Sequence, residues 1–234
     1  YPFQEPRSYT PTPAPLDAYT NLMRAYGIER AIYIQPSVYG SDHTLMEDLL
    51  ETNSSWLRAI AVTFPDTLEK KLLQWHELGV RGTRCNALFA GGISTTELKD
   101  IVARVRPYGW HIQLCVDIAK DPKLAQQIGA FNIPVVIDHF GHFPIRDAGF
   151  NRGFANLLSL VKEGNTWVKL SGPYRVSPQR SGFSDCQWAT EELLKANSNR
   201  LIWGSDWPHV ATYDDMPSIA QLLDCFALYA PTEV

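Results

Sequence analysis

The chain has 234 residues, 45% of them hydrophobic, and a net charge of −4 at pH 7. That length holds one large α/β domain or two small ones, the composition is that of a globular protein, and the weak acidic charge gives nucleic acid nothing to bind. No apolar run reaches the ~18 residues of a membrane span, and the start lacks the zones of a signal peptide.

The opening, Pro2 to Pro15, contains five prolines and reads as an extended loop leading into a helix, Leu16 to Tyr26. Seven short apolar runs follow as predicted strands: Ala31 to Gln35, Leu57 to Phe64, Val80 to Cys85, His111 to Val116, Pro134 to His139, Thr166 to Ser171 and Leu201 to Asp206. Most are near-continuous rather than alternating, as in parallel strands covered on both faces. Helical spacing fills the intervals. Ser41 caps a helix running to Glu51, and Thr67 caps Leu68 to Leu78. Thr95 to Val105, Pro122 to Ile128, Phe154 to Glu163 and Cys186 to Ala196 complete the set, and Ala230 to Glu233 opens a last helix. Strand and helix alternate, which predicts βαβ units and a parallel sheet.

Seven strands and one absent at the front make eight, the count of a (β/α)8 TIM-type barrel. The expectation is one α/β barrel domain over residues 1–234, lacking its first strand and its C-terminal end in this chain. An open doubly wound sheet is the competing fold, but neither GxGxxG nor GxxxxGK[ST] occurs. The four cysteines, Cys85, Cys115, Cys186 and Cys225, form no CxxC pair and read as buried free thiols of a reducing, cytoplasmic compartment.

In such a barrel the carboxyl ends of the strands carry the chemistry. Leu201-Ile202-Trp203-Gly204-Ser205-Asp206 is a buried run that ends in a carboxylate, which makes Asp206 the leading candidate for a base or a metal ligand. Side-chain alternation puts Ile202, Gly204 and Asp206 on one face, Val135, Ile137 and His139 on another, and Val80, Gly82 and Arg84 on a third. If these faces point inward, Asp206, His139 and Arg84 converge, while Asp138 and Arg81 point outward. Other strand ends offer Gln35 and Ser37, and Lys169 through Arg175. The structural alternatives are an N-cap role for Asp206, a satisfied core position for His139 and surface ion pairs for Arg84 and Arg175. His142 and His209 fit loop and site roles alike, whereas His43, His76 and His111 read as structural.

Four segments, Gly79 to Asn86, Val136 to Gly141, Val168 to Gly172 and Trp203 to His209, together resemble the amidohydrolase superfamily, in particular its lactone hydrolases. The resemblance covers nearly the whole chain and departs from the family where an opening His-x-His strand is absent. It implies a hydrolase of aromatic catabolism that opens a carboxylate-bearing lactone of the 2-pyrone-4,6-dicarboxylate kind. Asp206 takes the proton of water and His139 steadies the carbonyl oxygen. Arg84 and Arg175 clamp substrate carboxylates, Tyr9 and Tyr174 add hydroxyl contacts, and Gln35 and Ser37 rank second. No cofactor is required. The alternative is a zinc-dependent amidohydrolase or decarboxylase acting on an aromatic or muconate-type acid, with Asp206 and His139 holding a single Zn2+. The implied partner is a small anionic substrate, with neither nucleic acid nor membrane, and the oligomeric state stays open.

Overall fold

A computed structural model describes residues 1–88, 97–120, 124–145 and 152–229. The expected helix starts at Thr95 and Pro122, and the helix over Ala230 to Glu233, lie outside these residues. The chain divides into two compact units, Tyr1–Gln113 and Leu114–Val234.

The first unit contains α1 (Leu16–Ala25), β1 (Ala31–Ile34), α2 (Thr44–Asn53), β2 (Leu57–Ala61), α3 (Glu69–Leu78), β3 (Val80–Asn86) and α4 (Leu98–Val105). β1 and β2 pair in parallel from Ala31 against Leu57 to Ile34 against Ile60. β3 pairs with β2 in parallel, with a register shift between Ala59 and Ile60. In β2 every residue except Arg58 is buried, as a strand covered on both faces requires. Neither expected helix cap forms. Thr44 begins α2, and its backbone N–H and hydroxyl both donate to Asp42 Oδ1 (2.9 and 2.7 Å), a local turn that Asp makes more strongly than Ser41. The Thr67 hydroxyl instead accepts from Phe64 N at 2.8 Å, so it closes the loop ahead of α3. His43 has the structural role expected of it. Its Nδ1 lies 2.9 Å from Ser41 O and its Nε2 accepts from Val62 N at 3.1 Å, which fixes a neutral ring in the core.

β4 (His111–Cys115) crosses the boundary between the units. The second unit continues with α5 (Leu124–Ala130), β5 (Val135–Ile137), α6 (Arg152–Glu163), β6 (Thr166–Leu170), α7 (Gln187–Asn197), β7 (Leu201–Trp203) and α8 (Ile219–Tyr229). β6 pairs in parallel with β5 from Val135 against Thr166 and with β7 from Val168 against Leu201. The strand order follows the chain order. Phe143, Phe154 and Trp188 pack ring against ring where α6 meets α7, the first pair tilted and the second edge-on, with centroids 4.6 and 5.2 Å apart. The predicted segments do not include α8. Its signal is Ser218-x-x-Gln221, a reciprocal capping box in which Gln221 N donates to Ser218 Oγ (3.2 Å) and Ser218 N to Gln221 Oε1 (2.8 Å). Among the described residues no helix is long and apolar enough to cross a membrane.

Candidate active site

The strands of the second unit stop earlier than their apolar runs suggest. β5 ends at Ile137 and β7 at Trp203, so His139 and Asp206 stand on the loops beyond them. Both residues are left-handed, with φ of 49° and 55°. So are Phe140 (55°), His142 (51°) and His209 (59°). A non-glycine residue in this region costs on the order of 1 kcal/mol or more, and such strain concentrates where geometry is imposed for function.

Asp206 is the hub. Its Oδ2 accepts from Arg175 Nε at 2.5 Å and from the Tyr174 hydroxyl at 2.5 Å. Its Oδ1 faces His139 Nε2 at 3.7 Å, longer than a hydrogen bond. The far side of the His139 ring is held by Ser171, whose Oγ lies 2.9 Å from Nδ1. Arg175 also donates from Nη2 to Val210 O at 3.0 Å, and the Tyr174 hydroxyl lies 3.0 Å from His209 Nδ1. His142 sets its ring edge-on to His139 with centroids 5.0 Å apart, and its Nε2 lies 3.6 Å from Cys115 Sγ.

Burial works to raise the Asp206 pKa, but the neighbouring His139 ring, the Arg175 guanidinium and the hydrogen bonds from Arg175 and Tyr174 outweigh it and hold the carboxyl at about 2. Burial lowers His139 despite the pull of Asp206, and lowers His209 in the same way. His142 falls to about 3, through burial first and His139 second. Burial and Asp206 push Tyr174 well above its ordinary value. At neutral pH this cluster therefore presents one carboxylate and one guanidinium among neutral imidazoles and a neutral phenol.

The structure brings together Asp206, His139, Arg175 and Tyr174. It differs from the sequence reading in what Arg175 and Tyr174 touch, since both address Asp206. An N-cap role for Asp206 is ruled out, because the next helix begins only at Ile219. Asp138 is buried and pairs with Lys169 at 2.8 Å. Ser171 and Gly172 are further members of the cluster. Their signal is the Lys-Leu-Ser-Gly strand end, where a small hydroxyl and a glycine replace bulk.

The remaining candidates lie in the first unit. Arg84 is half-buried near the end of β3. Gln35 is buried, its Nε2 donating to Asp42 O at 2.7 Å and its Oε1 accepting from Tyr33 at 3.3 Å, so much of its hydrogen-bonding capacity serves the fold. Ser37 and Tyr9 are also buried.

Zinc catalysis uses about three protein ligands. Among the described residues no group of three His, Cys, Asp or Glu side chains could hold a metal, and Asp206 already bears a guanidinium on Oδ2. The donor set described does not fit a zinc ion.

The sequence matches the amidohydrolase family over residues 1–234. It is 31% identical to the 4-sulfomuconolactone hydrolase of Hydrogenophaga intermedia over 100% of this chain and 78% of that protein. It is 28% identical to the 2-pyrone-4,6-dicarboxylate hydrolase of Comamonas testosteroni over 99% and 80%. A solved structure from Pseudomonas putida superposes with a TM-score of 0.84 at 31% identity, over 97% of this chain and 85% of that one. The fold class is the expected one, with a seven-stranded parallel sheet of the (β/α)8-barrel type among the described residues.

Proposed function

Because the chain belongs to the amidohydrolase family, we propose that it opens a lactone bearing anionic groups, with water activated by Asp206. The observation that carries this reading is the Asp206 carboxylate itself. It is held ionised and oriented through Oδ2, with Oδ1 facing the His139 ring at 3.7 Å. In this reading the Ser171 hydroxyl is assigned as donor to Nδ1, which leaves the His139 proton on Nε2, where it is offered to the lactone carbonyl oxygen. Water attacks the carbonyl carbon as Asp206 takes its proton. The ring carbon–oxygen bond then breaks, and protonated Asp206 returns the proton to the leaving oxygen. No step runs through a metal.

A carboxyl group at about pKa 2 is always ionised at neutral pH but is a weak base. A substrate carboxylate that engages Arg175 draws positive charge away from Asp206 and raises its proton affinity, so the anionic substituent assists the chemistry as well as the binding. Arg84, Tyr9, Gln35 and Ser37 remain proposed substrate contacts on the strength of their places at strand ends and in the opening loop. The relatives' names point to 2-pyrone-4,6-dicarboxylate-like substrates and to aromatic catabolism. Four buried thiols outside any disulfide support a reducing, cytoplasmic setting.

The test is Asp206→Asn assayed on 2-pyrone-4,6-dicarboxylate and 4-sulfomuconolactone. We expect a loss in kcat of roughly a thousandfold with substrate still bound. An Asn variant turning over at the wild-type rate would remove Asp206 as the base.

A further inference from the structure

Asp138 and Lys169 are ionic, lie beside the candidate site and have no part in the proposed reaction. Lys169 Nζ sits 2.8 Å from Asp138 Oδ1, and the Asp138 and Lys169 side chains are only 1% and 16% exposed. Burying such a pair costs desolvation that its attraction barely repays, and apolar replacements of equal volume are often as stable. Stability is therefore a poor reason for its presence. Its position suggests a better one.

Asp138 is the hinge of the turn that carries His139. Its N–H donates to Leu114 O at 2.9 Å, and its carbonyl accepts from Gly141 N at 2.8 Å. The four residues after it, His139 to His142, are all left-handed, with φ from 49° to 79°. Such a run persists only where its surroundings hold it, here at Asp138 and at Gly141, whose carbonyl accepts from Ile118 N at 2.9 Å. β6 supplies two side-chain grips from one strand end: Lys169 on Asp138, and two residues later Ser171 on His139 Nδ1.

We propose that Lys169 is a positioning residue, which through Asp138 aims the His139 ring at Asp206. This rests on the lactonase reading for its kinetic consequence but not for its geometry. The pair fixes the turn at its base, Ser171 fixes the ring at its far nitrogen, and together they leave Nε2 one direction to face. Removing the lower grip loosens the Asp138 side chain at the base of the turn, while the backbone bonds from Asp138 N to Leu114 O and from Ile118 N to Gly141 O and the catalytic groups themselves stay intact.

The experiment compares Lys169→Met with the volume-matched double variant Asp138→Leu, Lys169→Met, by thermal unfolding, lactone kinetics and 15N NMR of the His139 ring. Lys169→Met takes the ammonium away from a buried carboxylate and is expected to lose stability. The double variant is expected to regain the wild-type thermal midpoint yet keep a kcat roughly tenfold or more below wild type, with KM changed by less than about threefold. Its His139 ring nitrogens are expected to shift as the Ser171 contact loosens. A double variant with wild-type kcat and unchanged ring resonances would overturn the proposal. If the double variant also fails to fold, Lys169→Arg carries the test: retained kcat and ring resonances support the charge anchor, and their loss in a stable protein overturns it. The NMR measurement needs no turnover. A chain that opens no lactone would therefore sink the lactonase reading while the ring resonances still decide the role of Lys169.

Discussion

Gly172 shows how little room the site leaves. It sits at φ +57°, and a Cβ placed on it would lie 2.9 Å from His139 Nδ1, 3.1 Å from Arg175 Cδ and 3.2 Å from Asp206 Oδ2. The first contact is one no real Cβ makes, so the ring that Ser171 grips must move. We expect Gly172→Ala to destabilise the protein by roughly 1–3 kcal/mol, through the left-handed backbone alone, and to lower kcat by more than that loss explains. Wild-type kcat in a folded Ala variant would show that His139 tolerates displacement. At this scale the sequence reveals Asp206 and His139, because each ends an apolar run and a polar group there has to have a use. It does not reveal that Arg175 and Tyr174 turn toward Asp206. They lie 31 and 32 residues from it along the chain, and spacing says nothing about which acceptor a guanidinium reaches first.

The turn His139–His142 behaves as an element of its own, although it is only four residues long. Burial lowers both of its histidines, and His142 has a pKa of about 3 against an ordinary 6.5. The unfolded chain therefore binds a proton at His142 below pH 6.5 that the folded turn refuses. Its contribution to stability is complete above pH 6.5 and is lost as pH falls from 6.5 toward 3, at up to about 1.4 kcal/mol per pH unit. The depressed Asp206 carboxyl acts in the same direction in a lower window, between its ordinary 3.8 and about 2. We expect the urea midpoint of the wild type to fall from pH 7 to pH 5, and to fall less in His142→Gln, which cannot take up the proton. Equal slopes would place the acid sensitivity elsewhere. No periodicity announces this turn, since three of its four left-handed residues are not glycines, and the strand ends read too long for the same reason. Ser171 and Asp206 continue an apolar run in sequence after the ladder has stopped. The helices are more legible, because an amphipathic stripe survives errors at its caps. Ser41 and Thr67 mislead because Asp42 competes better for the α2 start, and Phe64 N claims the Thr67 hydroxyl.

For the molecule as a whole the question is how a chain of net charge −4 would accommodate the proposed anionic substrate while carrying four thiols. Charge is handled locally: the Arg175 guanidinium balances the Asp206 carboxylate among neutral rings, so this cluster of the second unit carries no net negative charge to repel an anion. The thiols are handled by burial. Cys85, Cys115, Cys186 and Cys225 form no disulfide and are at most 4% exposed, and burial pushes the Cys186 and Cys225 thiols above their ordinary range. A buried thiol is a poor nucleophile, and more so where its pKa is raised as at Cys186 and Cys225, so these four act as small side chains of the core. We expect a disulfide reagent such as dithiobis(nitrobenzoate) to label no cysteine rapidly in the native protein and all four in denaturant. Rapid native labelling at Cys115 would be the informative exception. That sulfur lies against His142, and its access to the reagent would mean that the turn carrying His139 opens in solution rather than holding the ring on Asp206.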